Sequence, residues 1–223
     1  MNQPVPTASA FSNFVYRRTV GKSGGSGDAY QDVGENRSKW IGRISEENMR
    51  QYHAVAAQCQ SDLQPEVKKW TKLYEGMADD PEKKVLECRY LTVNGTPMRC
   101  CPDLVLESDD ERKHKTLLIV ERKVRTGVCD YPAVPDLAYP NVRAQLWCYA
   151  WISDWDWYRD QNVILMVEYF WHPYPEHGGP IYMGCRGIWC REDPKFNREA
   201  GEHFKAYGGV VNDKANMRTS WLD

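Results

Sequence analysis

Four consecutive aliphatic residues, Leu117-Leu118-Ile119-Val120, run directly into the charged triplet Glu121-Arg122-Lys123. Successive side chains of a strand point to opposite faces, so an unbroken aliphatic run predicts a strand buried on both sides. Such a strand needs a covering layer on each face of its sheet, which an α/β architecture supplies. With 223 residues, 42% of them hydrophobic, the chain has the length and apolar mass for a single domain of this kind.

The surrounding pattern supplies the layers. Residues 1–30 read as a flexible N-terminal segment, with a Gly/Ser-rich linker over 21–30, and residues 31–223 as one domain. Trp40, Ile41, Ile44, Met49, Tyr52, Val55 and Ala56 recur at helical spacing, and a second short helix is expected over 65–77. Strands are expected over 85–93 and 96–108, joined by a type I′ turn at Asn94–Gly95, and over 116–126. These three would form a meander with the third strand central. A helix over 141–155 is expected to start with Asn141 as its N-cap. A buried strand over 162–172, its hairpin partner over 181–190 and a helix over 196–209 complete an α/β sandwich with a mixed central sheet flanked by helices.

Composition narrows the function classes. A net charge of -2 argues against a protein held to nucleic acid by overall charge, although a local basic face needs no such excess. The eight cysteines form no paired C-x-x-C arrangement, and Cys100, Cys101, Cys185 and Cys190 are read as reduced thiols rather than metal ligands. The opening residues resemble no secretory segment and no apolar run is long enough to span a bilayer, so a cytoplasmic protein without membrane contact is expected.

Asp103 follows Pro102 at the end of an extended stretch, and Glu121 ends the apolar run eighteen positions later. Neighbouring strands lie about 4.8 Å apart, so both carboxylates can reach one point. Lys123 shares the strand face of Glu121, because residues at i and i+2 point the same way. Two carboxylates and an ammonium on one face suit a hard divalent cation acting on a phosphodiester. Taken alone, Glu121 and Lys123 also fit a solvated strand end.

Pro102–Asp103, then Glu121–Arg122–Lys123, then Gln145–Leu146–Trp147–Cys148–Tyr149 resembles the PD-(D/E)XK nuclease superfamily, over roughly residues 38–190. The Q-x-x-x-Y element is similar to that of the RecB-like branch, which includes the CRISPR-adaptation nucleases and relatives of lambda exonuclease. The resemblance implies a restriction-endonuclease-like core and a Mg²⁺- or Mn²⁺-dependent nuclease. It implies metal ligands at Asp103 and Glu121, a catalytic role for Lys123, and Gln145 and Tyr149 turned toward the active site and the nucleic acid, Tyr149 as a nucleic-acid contact. It also implies a further metal ligand from the first helix, where Gly42-x-x-x-Glu46 fits and Glu47 and His53 compete. The three-cysteine group that marks the iron–sulfur members of the branch has no counterpart in Cys185 and Cys190, so no cluster is expected.

DNA, single- or double-stranded, is the expected partner, with a protein partner or a second copy of the chain also open. Arg122, Arg125 and Arg143, with Arg112, Lys113 and Lys115, flank the centre in sequence and are candidates for phosphate contact. Trp147, Trp151, Trp155 and Trp157 are read as core rather than as a base-stacking platform. The function expected is an exonuclease or a recombination- or defence-associated deoxyribonuclease. The alternatives are a restriction-type endonuclease and an inactive nuclease fold that only binds. An interaction domain with accidental motif matches would instead pair Glu121 and Lys123 as surface ions far from Asp103.

Overall fold

The computed structural model describes residues 5–19, 70–76, 84–108, 116–126, 139–158, 163–172, 181–189 and 194–212. The helix expected from residue 38, with Glu46, Glu47 and His53, and the basic residues 111–115 lie outside the described residues.

The element order is α1 (Ala8–Thr19), β1 (Trp70–Glu75), β2 (Leu86–Val93), β3 (Thr96–Cys100), β4 (Leu104–Ser108), β5 (Leu117–Thr126), α2 (Pro140–Tyr149), a 3₁₀ segment (Ser153–Tyr158), β6 (Val163–His172), β7 (Ile181–Trp189), α3 (Pro194–Ala206) and β8 (Gly209–Val211). Five strands form one sheet in the order β1-β4-β5-β6-β7, and β3-β2-β8 form a second. β5 and β6 pair in parallel; β1 with β4, β4 with β5, and β6 with β7 pair antiparallel. The fold is therefore α/β, with a mixed sheet flanked by helices.

β5 is the central strand, and its aliphatic run is buried on both faces as the sequence requires. Leu117 and Ile119 join Val105, Val163, Leu165 and Val167 in the main core, whereas Leu118 and Val120 join Leu104, Leu106, Ile164 and Met166 in a second cluster. Alternation along a strand places these two sets on opposite faces of the sheet. The main core also takes in Phe11 of α1, Trp147 of α2 and Phe204 of α3. The Phe11 ring meets that of Phe204 at 5.3 Å, and Trp147 meets Phe204 at 5.5 Å. Trp147 and Trp151 are fully buried and Trp155 nearly so, which makes these three core; the Trp157 side chain lies outside the described residues.

Four local expectations are corrected. The strand expected over 96–108 breaks at Cys101–Asp103: β3 pairs with β2 in the small sheet, while β4 enters the large one. Pro102 lacks the N–H a ladder needs, so the chain changes sheets there. The segment 65–77, expected to be helical, contains β1; its Trp, Thr and Tyr suit an edge strand, with Leu73 at a register shift between Lys72 and Tyr74. The lead-in, expected to be flexible, contains α1, whose Ala8, Phe11, Ser12 and Val15 are buried at helical spacing. The Thr7 hydroxyl accepts the Ala10 N–H at its start, and Arg17 and Arg18 match the dipole at its end. Finally, α2 starts at Pro140 with Tyr139 as its N-cap and no side-chain cap, so Asn141 lies inside the helix. Proline's fixed φ suits that first position. α2 stops at Tyr149 and the 3₁₀ segment follows.

The Asn94–Gly95 turn forms as expected, with both residues at positive φ, 49° and 76°. No helix among the described residues is long and apolar enough to cross a membrane.

Candidate active site

Asp103, Glu121, Lys123, Gln145 and Tyr149 meet where the middle of β5 passes beneath α2. Glu121 is 5% exposed, an unusual burial for a carboxylate, and is matched by three donors. Its Oε1 accepts from Lys123 Nζ at 2.5 Å and from Gln145 Nε2 at 2.9 Å, and its Oε2 accepts from the Tyr149 hydroxyl at 2.8 Å. Gln145 closes the ring. Its Nε2 also donates to the Tyr149 oxygen at 2.7 Å, and its Oε1 accepts from Lys123 Nζ at 3.1 Å. Residues at i and i+4 share a helical face, which lets Gln145 and Tyr149 reach the same carboxylate.

Asp103 is held by backbone on three sides. Its N–H donates to Val120 O at 3.1 Å, its carbonyl accepts the Gly76 N–H at 2.9 Å, and its Oδ2 accepts the Arg122 N–H at 2.6 Å. Gly76 must be glycine here, since an added Cβ would stand 2.2 Å from the Pro102 carbonyl oxygen.

The charges act on one another. Burial pushes the Tyr149 phenol well above its ordinary pKa, and the charges of Glu121 and Asp103 add to the effect, so it stays a hydrogen-bond donor. Burial works to lower the Lys123 ammonium, but the charge and hydrogen bond of Glu121, with the charge of Asp103, outweigh it and hold the pKa above the ordinary value. The Lys123 side chain as a whole is 32% exposed.

Two residues absent from the sequence-based site lie beside it. The Cys101 carbonyl oxygen lies 3.3 Å from the Tyr149 hydroxyl. Tyr74, at the end of β1, donates its hydroxyl to Lys84 O at 2.8 Å, and its pKa is raised by burial first, then by Cys101 and Asp103. Tyr74 lies in the segment whose sequence suggests a helix; its Trp-Thr-x-x-Tyr composition is the signal for a strand instead.

Arg122 and Arg143 make their ion pairs away from the centre. Arg122 turns its guanidinium to the opposite face of the sheet, where Nε donates to Glu168 Oε2 at 2.9 Å. Arg143 lies on another side of α2 from Gln145, with its guanidinium 3.5 Å from Glu199 and 5.3 Å from the centre of the Phe196 ring. Arg125 is on β5 opposite Trp171, with its backbone alone described. Burial raises the Cys100 and Cys148 thiols well above their ordinary pKa, which suppresses thiolate chemistry there.

A hard cation such as Mg²⁺ takes one or two protein carboxylates and fills its remaining positions with water and phosphate oxygens. Asp103 and Glu121 are the two carboxylates of the cluster, and the Glu121 Oε2 has a second lone pair beyond the one used by Tyr149. Among the described residues no group of three or more His, Cys, Asp or Glu side chains is gathered for a metal. Comparison of the chain with family models, curated proteins and solved structures gives no match.

Proposed function

We propose that the chain is a metal-dependent deoxyribonuclease with a restriction-endonuclease-like core. The observation that carries this reading is the buried Glu121 carboxylate, ringed by Lys123, Gln145 and Tyr149, with Asp103 bound to the next peptide along the strand. A surface ion pair has no need of burial or of a helix laid over it, which favours this reading over an accidental motif.

In this reading Asp103 and Glu121 hold one Mg²⁺ or Mn²⁺, with Glu46 a candidate for a further ligand. The ion supplies positive charge against the scissile phosphate and acidifies water near it. Gln145 sets the spacing of Glu121 and Lys123 by bonding to both. Lys123 spends two of its three N–H donors on Glu121 and Gln145 and directs the third toward a phosphate oxygen or the attacking water. Tyr149 closes the inner side of the carboxylate and keeps water from it. DNA is the substrate class; the RecB-like pattern favours action on ends over internal cutting, by analogy with the family.

The test incubates linear and circular DNA with Mg²⁺ or Mn²⁺ and compares the wild type with Asp103→Ala and Lys123→Ala. Cleavage by the wild type and loss in both variants is expected. Cleavage that survives both substitutions sinks the site. DNA binding without cleavage under any of these conditions replaces the enzyme by a binding module.

A further inference from the structure

Glu168 is the one charged residue within the β6 run Val163–His172, and a charge there needs a partner. It finds Arg122. The two stand directly opposite each other on the parallel strands β5 and β6, with side chains 8% and 1% exposed.

Stability does not account for this pair. Taking two ions out of water costs several kcal/mol each, roughly, and is offset only when geometry is good and the remaining polar atoms are satisfied. Here one hydrogen bond forms, and Arg122 Nη2 and Glu168 Oε1 are buried with no hydrogen-bond partner among the described residues. The neighbours on that face, Val120, Ile164 and Met166, would accept apolar side chains in place of both.

Position accounts for it better. The peptide N–H of Arg122 is the donor 2.6 Å from Asp103 Oδ2, and the same residue separates Glu121 from Lys123. Parallel pairing is slightly weaker per residue than antiparallel, and β5–β6 is the one parallel pairing in the five-stranded sheet. A slip of one residue there would turn Glu121 and Lys123 to the wrong face. An ion pair locked between facing residues resists such a slip, as a single buried polar contact fixes register in other packed structures.

We propose that Arg122 and Glu168 form a positioning pair that sets, from the opposite face of the sheet, where Asp103 presents its carboxylate. The pair touches neither substrate nor metal and acts through the Arg122 peptide. The inference depends on the nuclease reading for its metal but not for its geometry.

The test compares the wild type with Arg122→Met/Glu168→Met, which removes both charges, and with Arg122→Lys, which retains a cation. Two quantities are read: the amide proton shift of residue 122 in the metal-free protein, and Mn²⁺ affinity by electron paramagnetic resonance. The double variant is expected to melt at or above the wild-type temperature. Its residue 122 amide should nonetheless move upfield as the bond to Asp103 loosens, and its Mn²⁺ affinity should fall about tenfold or more, the usual cost of losing a group that orients a ligand. Arg122→Lys should restore most of both. A double variant with an unshifted amide and wild-type Mn²⁺ affinity overturns the proposal. Should it fail to fold, Glu168→Gln is read by the same two criteria. A wild type that binds no Mn²⁺, with the amide shifting as expected in the variant, removes the metal reading and leaves the positioning pair standing.

Discussion

Tyr149 donates its hydroxyl to Glu121 Oε2 across 2.8 Å, although the two are 28 positions apart in the chain. One is on a helix and the other on the central strand, so the bond measures how closely α2 is seated on the sheet. Tyr149→Phe should destabilise the protein by about 1.5–3 kcal/mol, the usual worth of a hydrogen bond to a charged group. Urea unfolding of the metal-free protein measures it. A loss below a few tenths of a kcal/mol would mean that the phenol contributes only its ring.

Asp103→Asn keeps the shape of the side chain and an oxygen able to accept the Arg122 N–H, but removes the charge. The variant is expected to unfold at nearly the wild-type urea concentration. Its Mn²⁺ binding and its cleavage of linear DNA should both drop by a factor of about 10 to 100 or more. Calorimetric titration with Mn²⁺ provides the check, and wild-type affinity in this variant would remove Asp103 from the metal's ligands.

Gly76→Ala places a methyl group 2.2 Å from the Pro102 carbonyl oxygen, and a backbone atom has little room to retreat. Overpacking of this kind costs about 1–3 kcal/mol. The displacement would fall on the Pro102–Asp103 turn, so cleavage should fall further than the stability change alone explains. Single-turnover cleavage at a temperature where the variant remains folded separates the two effects.

Glu168 carries a pH dependence whose sign can be worked out. Burial raises its pKa above the ordinary value, against the opposing pull of Arg122. The folded protein therefore holds the proton more tightly than the unfolded chain does. The stability from this group is fully present below the unfolded pKa of about 4.3 and is lost as pH rises through the folded value. Between those two pH values the wild type should gain on Glu168→Gln as the solution is acidified, measured by paired urea titrations. A gap that is constant across the window would contradict the shift.

Much of the sheet was legible because two-sided burial leaves continuous aliphatic runs, as in Leu117–Val120 and Val163–Val167. The turn at Asn94–Gly95 was legible because few residues accept two positive φ values in succession. β1 was not, since six exposed or half-exposed residues on a sheet edge carry no firm period. The break at Pro102 was hidden by the apolar pattern that resumes on either side of it; the proline itself was the sign that a ladder could not continue. For the site, E-x-K and Q-x-x-x-Y picked out residues that do meet. Arg122 was grouped with the phosphate-facing residues by its place in sequence. Strand alternation already put it on the face away from Glu121 and Lys123. Glu168 was the loudest unheeded signal, a lone charge in an otherwise buried strand.

In sequence, α2 lies between β5 and β6, the strands that pair in parallel. Parallel neighbours cannot be joined by a tight turn, so the chain must travel back along the sheet before β6 can begin. That return journey is the stretch that carries Gln145 and Tyr149. Closing the sheet and capping Glu121 are thus two results of one movement of the chain. During refolding, recovery of the Tyr149–Glu121 contact should keep pace with β5–β6 pairing rather than follow it.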